Sequence, residues 1–429
     1  MERLAGILVL SLLASNVAAQ NPLVGEWRGH WIRAGDSMEV TLHIRRDPAS
    51  RALNATFDSK RLRVQGIPFA EVKVEGCCDV MMRLQGDRTT TTFTGALRNG
   101  RLSGELREGE SVGRFAYVRT RAPLAVPRER EVTFSNGAVT LAGSLILPRA
   151  GRRHPAVVFV HGSGAEGRWA SRFLATTFAE NGIAALIFDK RGVGKSSGDW
   201  RTATLDDLAG DAAAAIAYLR RQKEIDPRRV GLHGHSQGGT LLPMIAARSD
   251  SVAFLIASAA AGIPTDSTEI FSILNSVYPN ASTAEDSSSA REYVTELVAA
   301  AYHGLARNRL DSLISRFRER PWFFAPPPPA SSYWSFSRPF NEFRPLDWWR
   351  QVRVPVLLVY GERDMRVPAG ESAARISSTV LRHAPNADVA VRIFPGADHS
   401  FRLAPGPSGW PMTAPGYVPS LVSWLNARI

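Results

Sequence analysis

The chain has 429 residues, 44% hydrophobic and 21% charged, a balance that excludes a disordered or fibrous polymer and leaves room for two domains. Its formal net charge of +12 is carried almost wholly by arginine, since Lys60, Lys73, Lys190, Lys195 and Lys223 are the only lysines. These arginines are scattered, with no block of five or more like charges, which argues for a solvated surface and against nucleic-acid binding.

Residues 1–19 read as a secretory signal peptide, with Arg3 as its positive end, Leu4 to Leu13 as its apolar stretch and Val17-Ala18-Ala19 as its cleavage site. That segment is too short to span a bilayer, and no later one reaches about 18 apolar residues. The expectation is an exported protein, periplasmic or extracellular, without a membrane span.

Residues 20–120 alternate with period two between turn signals, as in Met38-Glu39-Val40-Thr41-Leu42. Asn99-Gly100 sits between two such runs, a strong hairpin signal. The pattern predicts a small all-β domain, sandwich or barrel. Cys77 and Cys78 are the only cysteines and are adjacent, so no disulfide framework exists. Free thiols are expected there, with a vicinal bridge as the alternative. Residues 121–130 read as a linker.

From residue 131 the pattern changes. A hairpin around Asn136-Gly137 precedes uninterrupted apolar strands separated by helical stretches: Ala156–Val160, Ala184–Phe188, Val230–His233, Val252–Ile256, Val356–Tyr360 and Val389–Phe394. Such strands predict a mostly parallel sheet with helices on both faces. Residues 262–350 interrupt the series as a long insertion, partly helical (Ala290–Leu305, Leu310–Arg318) and partly aromatic and Pro-rich, expected to cap the sheet.

Gly234-His235-Ser236-Gln237-Gly238 lies between strand and helix, the setting of a strained turn that exposes a serine Oγ. A serine hydroxyl needs an adjacent base, on loops at the carboxyl ends of later strands. Asp364 and His399 sit just past the strands ending at Tyr360 and Phe394, in the order Ser236, Asp364, His399. Glu362 is a rival for Asp364, and Asp398 is expected to be buried and structural, or else catalytic. His233 and His235 are expected to pack. The oxyanion hole needs two backbone N–H donors. Gln237 offers one, and Ser163 the other, with Gly164 second, in the loop His161-Gly162-Ser163-Gly164. Gly192-Val193-Gly194-Lys195-Ser196 imitates a phosphate-binding loop, but Asp189 stands where the first glycine is required. Neither a cofactor nor a metal ion is implied.

Together His161–Gly164, Asp189–Ser196, Gly234–Gly239, Gly361–Asp364 and Asp398-His399 make residues 131–429 resemble the α/β-hydrolase superfamily, most of all secreted bacterial serine carboxylesterases with an N-terminal β-domain, related to the dienelactone-hydrolase and acylaminoacyl-peptidase branches. The resemblance implies that a small-molecule ester is cleaved through an acyl-enzyme on Ser236. A peptidase or acyltransferase on the same residues is the alternative, and a non-catalytic binding protein a further one. Trp322, Phe323, Phe324, Tyr333, Trp334, Phe336, Phe340 and Phe343 are candidates to line an acyl pocket or to pack the cap.

Overall fold

The computed structural model describes residues 21–86, 89–120, 127–249, 252–305 and 307–429. The chain forms two compact units, one comprising residues up to Pro123 except Lys60–Gln65, the other Lys60–Gln65 with Leu124–Ile429. The expected signal peptide, and residues 121–126 of the expected linker, lie outside the described residues.

In the first unit nine antiparallel strands between Gly25 and Arg119 form one continuous sheet. Strand Asp36–Arg46 shows why: Met38, Val40, Leu42 and Ile44 are buried while their neighbours face outward. The buried face collects Trp31, whose ring lies 5.0 Å from Phe57 and 4.9 Å from Phe93. Asn99 and Gly100 both take positive φ, 49° and 74°, as a two-residue hairpin requires. The sheet curls on itself, because Phe69 N donates to Ala55 O at 2.9 Å and Ala70 N to Arg83 O at 2.7 Å. Between strands Glu71–Glu75 and Asp79–Gln85 the two cysteines form a vicinal disulfide, so the expected free thiols are absent.

The second unit is built on an eight-stranded sheet. Arg128–Asn136 and Val139–Leu147 pair as the antiparallel hairpin, the first starting three residues ahead of its expected position. Across the sheet then follow Ala184–Phe188, His154–Val160, Ile225–His235, Leu255–Ser258, Val356–Gly361 and Val389–Phe394, mutually parallel. Alternate residues enter separate cores: Leu358 and Tyr360 join the cluster on one face, Leu357 and Val359 the other. That is the pattern of a sheet covered on both sides. The two edge strands depart from it: Arg128–Asn136 is mostly exposed, and Ile393 of Val389–Phe394 is 43% exposed. Helix Leu205–Arg220 starts at a capping box between Thr204 and Asp207.

After Leu255–Ser258 the cap begins. Its helices are Thr265–Val277, Ala284–His303 and Asn308–Phe317, followed by the short Tyr333–Phe336 and Pro345–Trp349. Trp322 anchors its interior, 2% exposed, donating from Nε1 to Asp286 at 3.1 Å. Among the described residues no helix is long and apolar enough to cross a membrane.

Candidate active site

Strand Ile225–His235 runs straight into helix Gln237–Ala247, and Ser236 alone makes the turn, with φ 57° and ψ −119°. A serine holds this sparsely populated conformation only when its surroundings over-determine it. Ser236 N donates to Ser258 O at 2.9 Å, and its carbonyl accepts from Thr240 N at 2.9 Å and Thr240 Oγ1 at 3.0 Å. Close packing demands the flanking glycines: a Cβ on Gly234 would sit 2.4 Å from Gly238 C, and one on Gly238 2.3 Å from Val160 O.

Asp364 and His399 stand on the loops after Val356–Gly361 and Val389–Phe394, the second and third strands beyond the serine's own along the sheet. The carboxylate of Asp364 is buried and fully engaged: Oδ1 accepts from Arg366 N at 2.8 Å and Val367 N at 2.9 Å, and Oδ2 from His399 Nδ1 at 2.7 Å. With Nδ1 donating, the neutral ring keeps its lone pair on Nε2, the tautomer a general base needs. Among the described residues no hydrogen bond joins Ser236 Oγ to His399. His235 Nε2 donates to His399 O at 2.9 Å, so this neighbour of the serine does more than pack. Burial pushes the His235 imidazole down to about 4, which keeps it neutral. His233 is 3% exposed and pushed down to about 3 by burial.

The rival carboxylates have other work. Glu362 accepts from Gly396 N at 2.8 Å and braces the loop ahead of His399. Asp398 is exposed, contrary to the expected burial, and closes its own loop by accepting from Ser400 N and Arg402 N, both at 2.8 Å. Arg63, in the stretch Lys60–Gln65 of this same unit, donates to Ser400 O and lies 5.0 Å over the Tyr417 ring. No sequence signal marked it.

Ser163, Gln237 and Ser236 line one cavity of about 230 Å³. Gln237 opens its helix, so its N–H has no intrahelical partner. Glu166 accepts from Gly162 N at 2.7 Å and holds the preceding loop. The false phosphate loop is an ion-paired turn: Asp189 accepts from Lys195 N at 3.1 Å and from Arg168 Nη2 at 3.0 Å, while Arg191 binds Asp211 twice at 2.8 Å. Among the described residues no group of three His, Cys, Asp or Glu side chains could hold a metal ion.

The cap closes the cavity with fewer of its aromatics than the eight candidates. Tyr333, Phe340 and Phe343 line it. Trp322, Phe323 and Phe324 instead pack around Tyr293, and Trp334 donates to Pro328 O at 2.9 Å. The side chain of Phe336 lies outside the described residues. Sequence reasoning missed Thr265, Thr268, Glu269 and Tyr302, which share the wall. Burial pushes the Glu269 carboxyl up, and among the described residues no group hydrogen-bonds the buried Tyr333 OH or Thr265 Oγ1.

Residues 151–403 match the family model described as serine aminopeptidase, S33. Esterase EstD of Thermotoga maritima is 26% identical over 303 residues, covering 66% of this chain and 66% of that protein. The quorum-quenching protein AidA of Acinetobacter baumannii is 34% identical over 127 residues, covering 29% of this chain and 42% of AidA. The match thus spans less than two thirds of either relative. Among solved structures, hypothetical protein PA2218 of Pseudomonas aeruginosa aligns with a TM-score of 0.45 at 23% identity, over 72% of this chain and 96% of that one.

Proposed function

We propose that this chain, which belongs to the α/β-hydrolases of the serine aminopeptidase S33 family, hydrolyses carboxylic esters through an acyl-enzyme on Ser236. The observation that carries this reading is the 2.7 Å bond from His399 Nδ1 to a fully engaged Asp364, on loops beside the strained Ser236. His399 Nε2 takes the Ser236 proton as Oγ attacks the ester carbonyl, and Asp364 stabilises the imidazolium. The N–H groups of Ser163 and Gln237 receive the oxyanion. The imidazolium then protonates the leaving alcohol, and water, deprotonated by the same ring, releases the acid. Tyr333, Phe340 and Phe343 give the substrate an apolar wall.

The name of EstD supports an ester as substrate, and the family description favours a peptide as the second reading. Parallel assays with aryl esters of graded acyl length, aminoacyl arylamides and an alcohol acceptor separate the two, together with acyl transfer. Ester turnover that vanishes in Ser236→Ala supports the first reading. Turnover of arylamides alone supports the second, and ester turnover surviving in Ser236→Ala overturns both. Residues 1–19 we propose to be an export signal, which predicts a mature amino terminus near Gln20 in the secreted fraction.

A further inference from the structure

Lys190 is only 2% exposed, yet no carboxylate hydrogen-bonds its ammonium among the described residues. Its three protons go to Gly162 O at 2.8 Å, Gly164 O at 3.1 Å and Gln237 Oε1 at 3.2 Å, with the Trp200 ring 5.5 Å away. These acceptors belong to the two segments that carry the proposed oxyanion donors. We propose that Lys190 is a positioning residue that sets both halves of the oxyanion hole from behind, an inference that rests on the acyl-transfer reading above.

The geometry of the peptide group supplies the mechanism. The carbonyl of Gly162 and the N–H of Ser163 belong to one planar unit, and in a trans peptide they point in opposite directions. Holding that carbonyl on Nζ turns the Ser163 N–H the other way, and Ser163 lines the cavity with Ser236. A cation on the carbonyl also polarises the unit and strengthens its N–H as a donor. The third bond ties the Gln237 side chain, at the first residue of its helix, to the same point. A rotation of the Gly162–Ser163 peptide would have to break the shortest of the three bonds.

Charge around Nζ fits this role. Burial pushes Lys190 down to about 8, against the smaller opposing pull of Glu166, from the loop after Val160, and Asp211, from helix Leu205–Arg220, which favour the charged ammonium. His161, also in contact with the charge of Lys190, is pushed down to about 4 by burial and stays neutral. Alkaline solution above pH of about 8 should therefore remove the tether.

Lys190→Met keeps the stem and deletes the charge, and Lys190→Arg restores donors to the carbonyls. Lys190→Met is expected to lose kcat by about 10²–10³-fold, as for a missing oxyanion donor, with KM moving less than about 3-fold. A boronic acid that forms a tetrahedral adduct on Ser236 should lose affinity in parallel, and Lys190→Arg should recover part of both. The wild type needs no substitution to be informative: its kcat should decline above pH of about 8. Unchanged kcat and boronate affinity in Lys190→Met, or, where that variant does not fold, a flat wild-type profile to pH of about 10, overturns the inference. An inactive Ser236→Ala beside a fully active Lys190→Met would remove this proposal alone, whereas an active Ser236→Ala would remove the reading beneath it.

Discussion

The loops at the carboxyl edge of the sheet and the cap above them treat polar atoms in opposite ways. At the edge, Asp364 has accepted three hydrogen bonds and Lys190 has donated three. On the cap wall, Tyr333 OH and Thr265 Oγ1 are buried with no hydrogen-bond partner among the described residues, and burial pushes the Glu269 carboxyl up. A buried polar group left unpaired costs about 1–3 kcal/mol, so the cap carries a penalty that a bound substrate can relieve. The edge is organised before substrate arrives.

Substitutions at the edge should therefore act on turnover, and substitutions in the cap on selectivity. The largest effect is expected for Ser236→Ala, a loss of kcat on the order of 10⁶-fold in steady-state ester hydrolysis. Asp364→Asn should follow, near 10⁴-fold, because an amide in place of Oδ2 turns the imidazole to the wrong tautomer. Phe340→Ala opens the cavity wall and should shift the preference between short and long acyl esters by about 10–200-fold in kcat/KM, with kcat on the best ester nearly unchanged. An equal fall in kcat for every ester would erase the distinction between edge and cap. Smaller still, Tyr333→Phe removes an unpartnered hydroxyl and should leave apolar esters within about 3-fold of wild type.

The gentlest probe is pH. Burial pushes His161 and His235 down to about 4 and His233 to about 3, so the unfolded chain binds protons below pH 6.5 that the fold refuses. Stability of the α/β unit from this source is full above pH 6.5 and is lost as pH falls toward 4. His43 in the first unit has the opposite sign: its hydrogen bond to Asp58 raises its pKa, so its contribution is present below pH 6.5 and lost as pH rises through the folded value. Thermal unfolding followed from pH 8 to 4 should show the α/β unit weakening on acidification while His43 opposes that trend in its own unit.

Sequence exposed the edge and hid the cap for a physical reason. Strands buried on both faces are continuous apolar runs, and a residue in the first few places past their ends has its location fixed by the fold, so Ser236, one place past His235, Asp364, three past Gly361, and His399, five past Phe394, could be picked out individually. The rival Glu362 lies two places closer to the strand end than Asp364, and there its carboxylate accepts from Gly396 N and, among the described residues, makes no hydrogen bond to His399. Cap residues have no such ruler. Helix Thr265–Val277 is rich in Ser and Thr and showed no clear period, so Glu269 went unnoticed, and composition could not say that Phe323 faces Tyr293 while Phe340 faces the cavity. Lys190 was visible only as one residue of the Asp189–Ser196 stretch that carries the family resemblance, because two of its three partners are main-chain carbonyls that no side-chain pattern records. The vicinal disulfide was equally hidden, since adjacency alone fixes no redox state.

The central claim is that Ser236 is the nucleophile, and a fluorophosphonate tests it most directly. The reagent should label the protein once, at Oγ of Ser236, with loss of ester hydrolysis in proportion to labelling and no adduct in Ser236→Ala. Peptide mapping that finds the adduct on another residue, or hydrolysis that persists in fully labelled protein, would contradict the account.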